Sequence, residues 1–255
     1  MIRVPAGEFL AGCNRKVDRV CRSDEDKLHL VRLDAFSIDR TEVTVEDYSR
    51  CLEAGQCSAE GLESPFIAGA EQAQWAWACN FGKADRARHP VNCLTFEQAA
   101  AFCRWKGKRL PTEMEWERAA RGTDGRKFPW GNTGLDKPRA NLADDKGRKV
   151  FPSAVMAVFG YDDGYVGTAP VGSFPDGKAP EGLLDMAGNV WEWTADGYQD
   201  QSYPAERQPF AKEAYRVIRG GSFLSDLSDL RTSRRGRARP SERNPGIGFR
   251  CASDP

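Results

Sequence analysis

The sequence predicts an α+β fold of high coil content, with two or three helices and small antiparallel sheets in a single domain over residues 1–255. Three observations predict it. The N-terminal region alternates apolar and polar residues in short runs, the period of half-buried strands. Between Thr95 and Gly122, two Thr-x-x-Gln/Glu signatures open segments that glycines then close. From Phe128 to Ala179 that periodicity gives way to Gly, Pro, Asp and Asn.

The elements follow in order. Ile2–Val4, Glu8–Leu10, His29–Leu33 and Phe36–Ile38 read as strands. Thr44 to Asp47 is a capping-box-like start for a helix that runs to about Glu53, before Gly55. Thr95 and Gln98 form a second box, opening a helix through Phe96, Ala99 and Cys103 that Gly107 stops. Thr112 caps a third helix, with Glu115 at the box position, Gly122 as the stop, and Met114, Trp116 and Ala119 on its buried face. So long an irregular stretch as Phe128–Ala179 needs an organiser, and metal ions, disulfides or buried Trp and Arg side chains are the usual ones.

At 255 residues the chain can bury one substantial core. Lys plus Arg equals Asp plus Glu, 37 each, which argues against a nucleic-acid partner or a charged membrane surface. No run approaches the ~20 apolar residues of a membrane-spanning helix. Met1 to Pro5 leads straight into domain-like sequence with no signal peptide, which is compatible with a mature form trimmed from a precursor without establishing one. Cys13/Cys21 and Cys51/Cys57 are close pairs in polar sequence, Cys79 and Cys93 bracket a charged loop, and Cys103 and Cys251 complete the eight. Read as residues, they fit either four disulfides in an oxidising compartment or scattered thiols in the cytosol. With no CxxC pair and two histidines, zinc is the weaker reading.

Several blocks then carry a family likeness: Val4–Gly12 (VPAGEFLAG), Phe36–Tyr48, His89–Gly122, Phe128–Asn132 (FPWGN), GLLDMAGNVWEWT from Gly182, RVIRGGSF from Arg216 and GFRC ending at Cys251. In this order and spacing the chain resembles the formylglycine-generating enzymes, or sulfatase-modifying factors. The resemblance implies that family's variant of the C-type lectin fold, and a bridge from the helix cysteine Cys103 to Cys251 on the last strand. The local pairs Cys13–Cys21, Cys51–Cys57 and Cys79–Cys93 then account for the rest, leaving no free thiol. A periplasmic or secreted protein follows from four such bridges.

The resemblance also implies two structural calcium sites that order the long coil. Asn141 and Asp163 would supply side-chain oxygens to the first, with carbonyls from Leu142 and Tyr165. Asp185 and Glu192 would supply carboxylates to the second, with carbonyls from Gly188 and Val190. Hard oxygen ligands from irregular loops suit calcium.

The family's oxidases hold copper(I) between two cysteines in the segment after RGGSF and convert a substrate cysteine to formylglycine. Here Ser225 and Leu230 stand at those positions. Copper(I) prefers sulfur, so neither copper nor that activity is expected. Trp191 and Ser222 match residues lining the family's pocket. His89, in a polar loop before Pro90, reads as structural, and the six arginines of Arg231–Arg243 read first as partners of buried acids and second as an anion site. The expected function is a calcium-stabilised binding or accessory module holding a peptide or protein ligand in a surface groove. The alternative is an oxidoreductase of altered chemistry acting on a peptide or peptide-derived natural product, like the family branch that acts in pyoverdine maturation.

Overall fold

The structure is a computed structural model, and it describes residues 1–25, 28–66, 72–150, 157–199 and 215–255. The four N-terminal strands fall where the alternation places them: β1 (Ile2–Val4), β2 (Gly7–Ala11), β3 (His29–Leu33) and β4 (Phe36–Ile38). Three helices follow the predicted caps. In α1 (Val45–Glu53), Thr44 Oγ1 accepts from Asp47 N. In α2 (Phe96–Trp105) and α3 (Glu113–Arg121) both halves of each capping box form, Thr95 with Gln98 and Thr112 with Glu115. Gly122 ends α3 at φ +70°, a conformation that favours glycine, and a Cβ there would come 2.8 Å from Pro180 Cγ. A fourth helix, α4 (Asp145–Val150), lies in the stretch read as irregular.

Five further strands close the fold: β5 (Trp191–Gly197), β6 (Arg216–Arg219), β7 (Arg235–Ala238), β8 (Ile247–Gly248) and β9 (Ala252–Ser253). Among the described residues they and the N-terminal strands make three sheets, ordered β1-β4-β9, β2-β3 and β7-β6-β5-β8. All pairs are antiparallel except β5 with β8, where Trp191 and Glu192 align in parallel with Ile247 and Gly248. The chain's two ends thus meet in one sheet, with Ile38 of β4 opposite Ala252 of β9.

Two of the buried apolar clusters hold these layers together. Tyr48, Phe102, Trp193 and Phe249 pack α1 and α2 against the four-stranded sheet. Trp116, Ala119 and Ala120 of α3 pack on Val4, Phe36 and Ile38. Full burial of such a side chain contributes roughly 1.5–3 kcal/mol. Most of the other buried contacts of α3 are charged, which an apolar-face reading does not show. Met114 is only partly covered, whereas Glu113, Glu117, Arg118 and Arg121 are buried. Glu117 meets Arg219 at 2.5 Å, Glu113 meets Arg235 at 2.7 Å, and Arg121 donates to the carbonyls of Leu10 and Gly12. These pairs join the N-terminal hairpin to β6 and β7, fixing one arrangement rather than adding much net stability.

Four disulfides form, Cys13–Cys21, Cys51–Cys57, Cys79–Cys93 and Cys103–Cys251, and no cysteine is free. The last ties α2 to the C-terminal strand region across 148 residues. Among the described residues no helix is long and apolar enough to cross a membrane.

Candidate functional site

Two loops that follow one another in space carry most of the predicted ligand residues. Asn141 is buried, and its Nδ2 donates to Gly167 O at 2.9 Å and Asn189 Oδ1 at 3.2 Å. That orientation leaves Oδ1 as a buried acceptor with no protein donor. Asp163 is also buried; its Oδ2 accepts from Leu142 N and its Oδ1 from Tyr165 N, each at 2.9 Å. Burial, reinforced by the neighbouring Asp144 carboxylate, pushes the Asp163 carboxyl up to about 7. Among the described residues no Lys or Arg pairs with Asp163 or Asp144, and the carbonyls of Leu142 and Tyr165 accept no hydrogen bond. Asn141, Leu142, Asp163 and Tyr165 therefore form one neighbourhood of hard oxygens with an orphaned amide oxygen and a buried carboxyl. That donor set fits a calcium ion.

The second loop behaves differently. Glu192 on β5 is fully buried, but its carboxylate is already engaged: Arg250 Nε and Nη2 donate to its two oxygens at 2.7 Å, and Trp116 Nε1 donates to Oε2 at 2.8 Å. Asp185, at φ +57°, accepts from Gly172 N at 2.6 Å. Facing it is Glu42, a residue that sequence reasoning did not single out. Glu42 Oε1 accepts from Asn189 Nδ2 at 2.9 Å, and Oε2 is buried without a donor. Burial, and then the Asp185 charge, raise the Glu42 carboxyl well above its ordinary range, and burial raises Asp185 as well. Among the described residues, three buried carboxylates thus share one guanidinium, that of Arg250. Among the predicted second-site residues, Asp185 rather than Glu192 has spare charge, and Glu42 is its partner. The signal for Glu42 was slight: one acid between Thr41 and Val43, in a block that otherwise reads as strand and cap.

Asn189 couples the two loops, bonding Asn141 on one side and Glu42 on the other, while its N–H donates to Asn141 O at 2.8 Å. The chains approach so closely that a Cβ on Gly188 would lie 2.1 Å from Asn141 O. Only glycine fits there, so the Gly188–Val190 turn is set by contact with the Asn141 loop.

The positions predicted to lack the cysteine pair are closed. Ser225 is buried and its Oγ accepts from Ser222 N at 3.1 Å. Leu230 is fully buried against Phe128, Leu142 and Tyr161. A hydroxyl and a hydrocarbon do not make a copper(I) donor pair. Ser222 is buried and its Oγ accepts from Leu224 N. Trp191, by contrast, lines an open cleft of about 500 Å³ together with Tyr198, Arg22 and Arg234, and Ser222 is not in that wall. Three of the six arginines between 231 and 243 pair with acids among the described residues: Arg231 with Glu25 and Asp18, Arg235 with Glu113, Arg234 with Asp229.

His89 is structural in the geometry. Its Nδ1 lies 2.9 Å from Thr168 Oγ1 and 3.2 Å from Arg86 Nη1. Burial, and then the Arg86 charge, hold it down to about 4. The unfolded chain therefore binds a proton at His89 between about pH 6.5 and 4 that the folded chain does not, so this residue costs stability as pH falls through that window. Thermal melts of His89→Gln should depend less steeply on pH than the parent across pH 6.5 to 4. Parallel curves would show that His89 does not titrate on unfolding.

Small sheets joined by long loops, braced by disulfides and by buried acid–arginine pairs around a Gly-Asn-Val-Trp turn, define a class of loop-organised α+β domains. The description "Sulfatase-modifying factor enzyme 1-like domain" matches residues 1–255, and the chain belongs to that family. It is 33% identical to the formylglycine-generating enzyme of Thermomonospora curvata over 296 residues, covering 100% of this chain and 93% of that protein. It is 32% identical to mouse "Inactive C-alpha-formylglycine-generating enzyme 2" over 286 residues, covering 99% and 85%. The solved structure of PvdO from Pseudomonas aeruginosa superposes with a TM-score of 0.76 at 27% identity, covering 99% of this chain and 93% of that one.

Proposed function

We propose that this chain is a non-catalytic member of the family, a calcium-stabilised module that holds a peptide or other ligand in its Trp191 cleft. One observation carries the reading. Ser225, which the family resemblance sets at one cysteine-pair position, is held by a backbone N–H, and Leu230, which it sets at the other, packs in a buried apolar cluster. Neither can hold copper(I) or act as a thiolate, and all eight cysteines are in bridges. Membership alone does not decide activity, because a relative named formylglycine-generating enzyme and one named inactive match at nearly the same identity. Four disulfides support a periplasmic or secreted location. Copper-loaded protein incubated with a Cys-x-Pro-x-Arg peptide should yield no formylglycine, and metal analysis of the purified protein should find calcium without stoichiometric copper or iron. Peptide conversion, or a redox metal at one per chain, would instead establish the oxidoreductase reading.

Calcium is the expected structural ion. Binding to the folded state alone stabilises by about 2.7 kcal/mol at a hundredfold excess over Kd. Chelator-treated protein should melt lower and recover on addition of calcium, and magnesium should substitute poorly because it demands a smaller, octahedral shell. Asp163→Asn should abolish most of that calcium-dependent gain. An unchanged calcium response in Asp163→Asn would remove the first site from the reading.

A further inference from the structure

We propose that the disulfide-closed loop Cys13–Cys21 is a docking surface for an anionic lipid bilayer. The inference rests neither on calcium nor on the ligand of the Trp191 cleft. The chain leaves β2 at Ala11 and enters a turn in which Asn14 O accepts from Val17 N at 3.0 Å and from Asp18 N at 2.8 Å. Arg15, Lys16, Val17, Arg19 and Val20 are exposed on this loop, whereas Asp18 is buried.

Asp18 turns inward. Its Oδ2 accepts from Arg231 Nη1 at 2.8 Å, its Oδ1 accepts from Val20 N at 3.0 Å, and Lys127 Nζ lies 3.5 Å from Oδ1. Asn14 Nδ2 donates to Gly125 O at 3.0 Å, and the Cys13–Cys21 bridge closes the base. The body of the fold therefore holds the loop at its base and its middle, and draws its one acid away from solvent. Among the described residues Arg15, Lys16 and Arg19 enter no ion pair. The neighbouring charges cancel: Asp18 and Glu25 face Arg231 and Lys127, and Asp229 and Asp24 offset Arg22 and Arg234. The three exposed cations of the loop remain as surplus.

Charge summed over the chain is zero, so this surplus is local. Val17 and Val20, 36% and 50% exposed, are interleaved with the cations. A soluble anion would leave those apolar side chains in water. A bilayer interface takes both: lipid phosphates meet Arg and Lys, and the boundary of the acyl chains takes the valines. A loop already held in place loses little freedom on docking. Each basic residue near an anionic surface strengthens binding roughly fivefold, so three outer cations favour an anionic over a neutral bilayer by about a hundredfold.

Vesicle flotation of the disulfide-intact protein tests the assignment, with calcium held constant throughout. The vesicles are phosphatidylcholine alone or an equal mixture of it with phosphatidylglycerol. The protein should bind the mixed vesicles at least tenfold tighter at low salt and weaken as salt rises. Arg15→Gln/Lys16→Gln/Arg19→Gln should lose tenfold or more while melting like the parent. Arg104→Gln/Lys106→Gln/Lys149→Gln, which removes three exposed cations elsewhere, should lose little. Lys16→Gln alone should lose about fivefold, and it serves if the loop triple variant does not fold. Val17→Ser/Val20→Ser should weaken binding severalfold. Equal binding to the two kinds of vesicle, no binding to either, or equal losses in the two triple variants would overturn the proposal. A soluble glutamate peptide that binds with the same sensitivity to Arg15, Lys16 and Arg19, while Val17→Ser/Val20→Ser matches the parent on vesicles, would make the partner an acidic protein segment and overturn the bilayer.

Discussion

Arg250→Met is expected to cost about 3–5 kcal/mol of folding stability, because it strips the one cation found among the described residues of a buried acidic cluster. Arg250 is fully buried. It donates to both oxygens of Glu192 and to the carbonyls of Asp39, Arg40, Leu184 and Asp185. Removing it leaves Glu192, Asp185 and Glu42 in one dry region with no guanidinium. Those acids must then take up protons or a metal ion. Arg250→Lys keeps a charge but not the fork, so it should lie between parent and Met variant. Chemical denaturation with and without calcium reads both effects. If the second loop takes calcium, the Met variant gains more from calcium than the parent does. A loss under about 1 kcal/mol in calcium-free buffer would mean that the acids are already neutral and need no partner. In the double variant Arg250→Met/Glu192→Leu part of the loss should return, since an apolar pair can replace a buried ion pair.

That cluster marks the boundary of what was legible in the sequence. The strands up to Phe36–Ile38 and the three longer helices were readable because each is encoded locally: a period of two, or a Thr with its Gln or Glu three residues on. The five later strands are two to seven residues long and mix Trp, Arg and Gly with small and polar residues, so no alternation announces them. The buried face of α3 was misread in part for the same reason. Met114 looks like core and is partly exposed, whereas Glu117 looks like surface and is buried with Arg219, 102 residues away in sequence. An acid reads as buried only once its distant partner is known. The family likeness supplied what local pattern could not: the Cys103–Cys251 pairing and the grouping of Asn141 with Asp163. It did not supply Glu42, whose orphaned oxygen emerges only when Asn189 and Asp185 are placed beside it. The preferred reading of the arginine-rich stretch holds for Arg231 and Arg235, both buried in ion pairs.

Removing the long bridge should be the other large loss. Cys103→Ala/Cys251→Ala opens a loop of 148 residues with none of the other three bridges inside it, so no remaining cross-link limits the unfolded chain over that span. Chain entropy for a loop of this length amounts to about 5 kcal/mol, and native bridges deliver roughly 2–5 in practice. For a protein of this size that is on the order of 10 °C in melting temperature. The local bridge Cys51–Cys57 closes only six residues, and the same relation gives it about 2 kcal/mol. The ranking tests the mechanism better than either loss alone. Both bridges are largely buried, so side-chain packing predicts similar costs for the two double variants, whereas loop closure predicts that the long bridge matters more. The structure adds a reason in the folded state. Cys251 lies between Arg250 and β9, with Asp39 N donating to its carbonyl and its own N–H donating to Asp39 Oδ2. Loosening this point releases α2 and also the strand that positions Arg250 against Glu192. If the second loop takes calcium, the double variant should therefore lose calcium-dependent stabilisation there while Cys51→Ala/Cys57→Ala keeps it. Equal losses in both variants, with the calcium response intact in each, would show that the long bridge neither restrains the unfolded chain nor holds the acidic cluster in place.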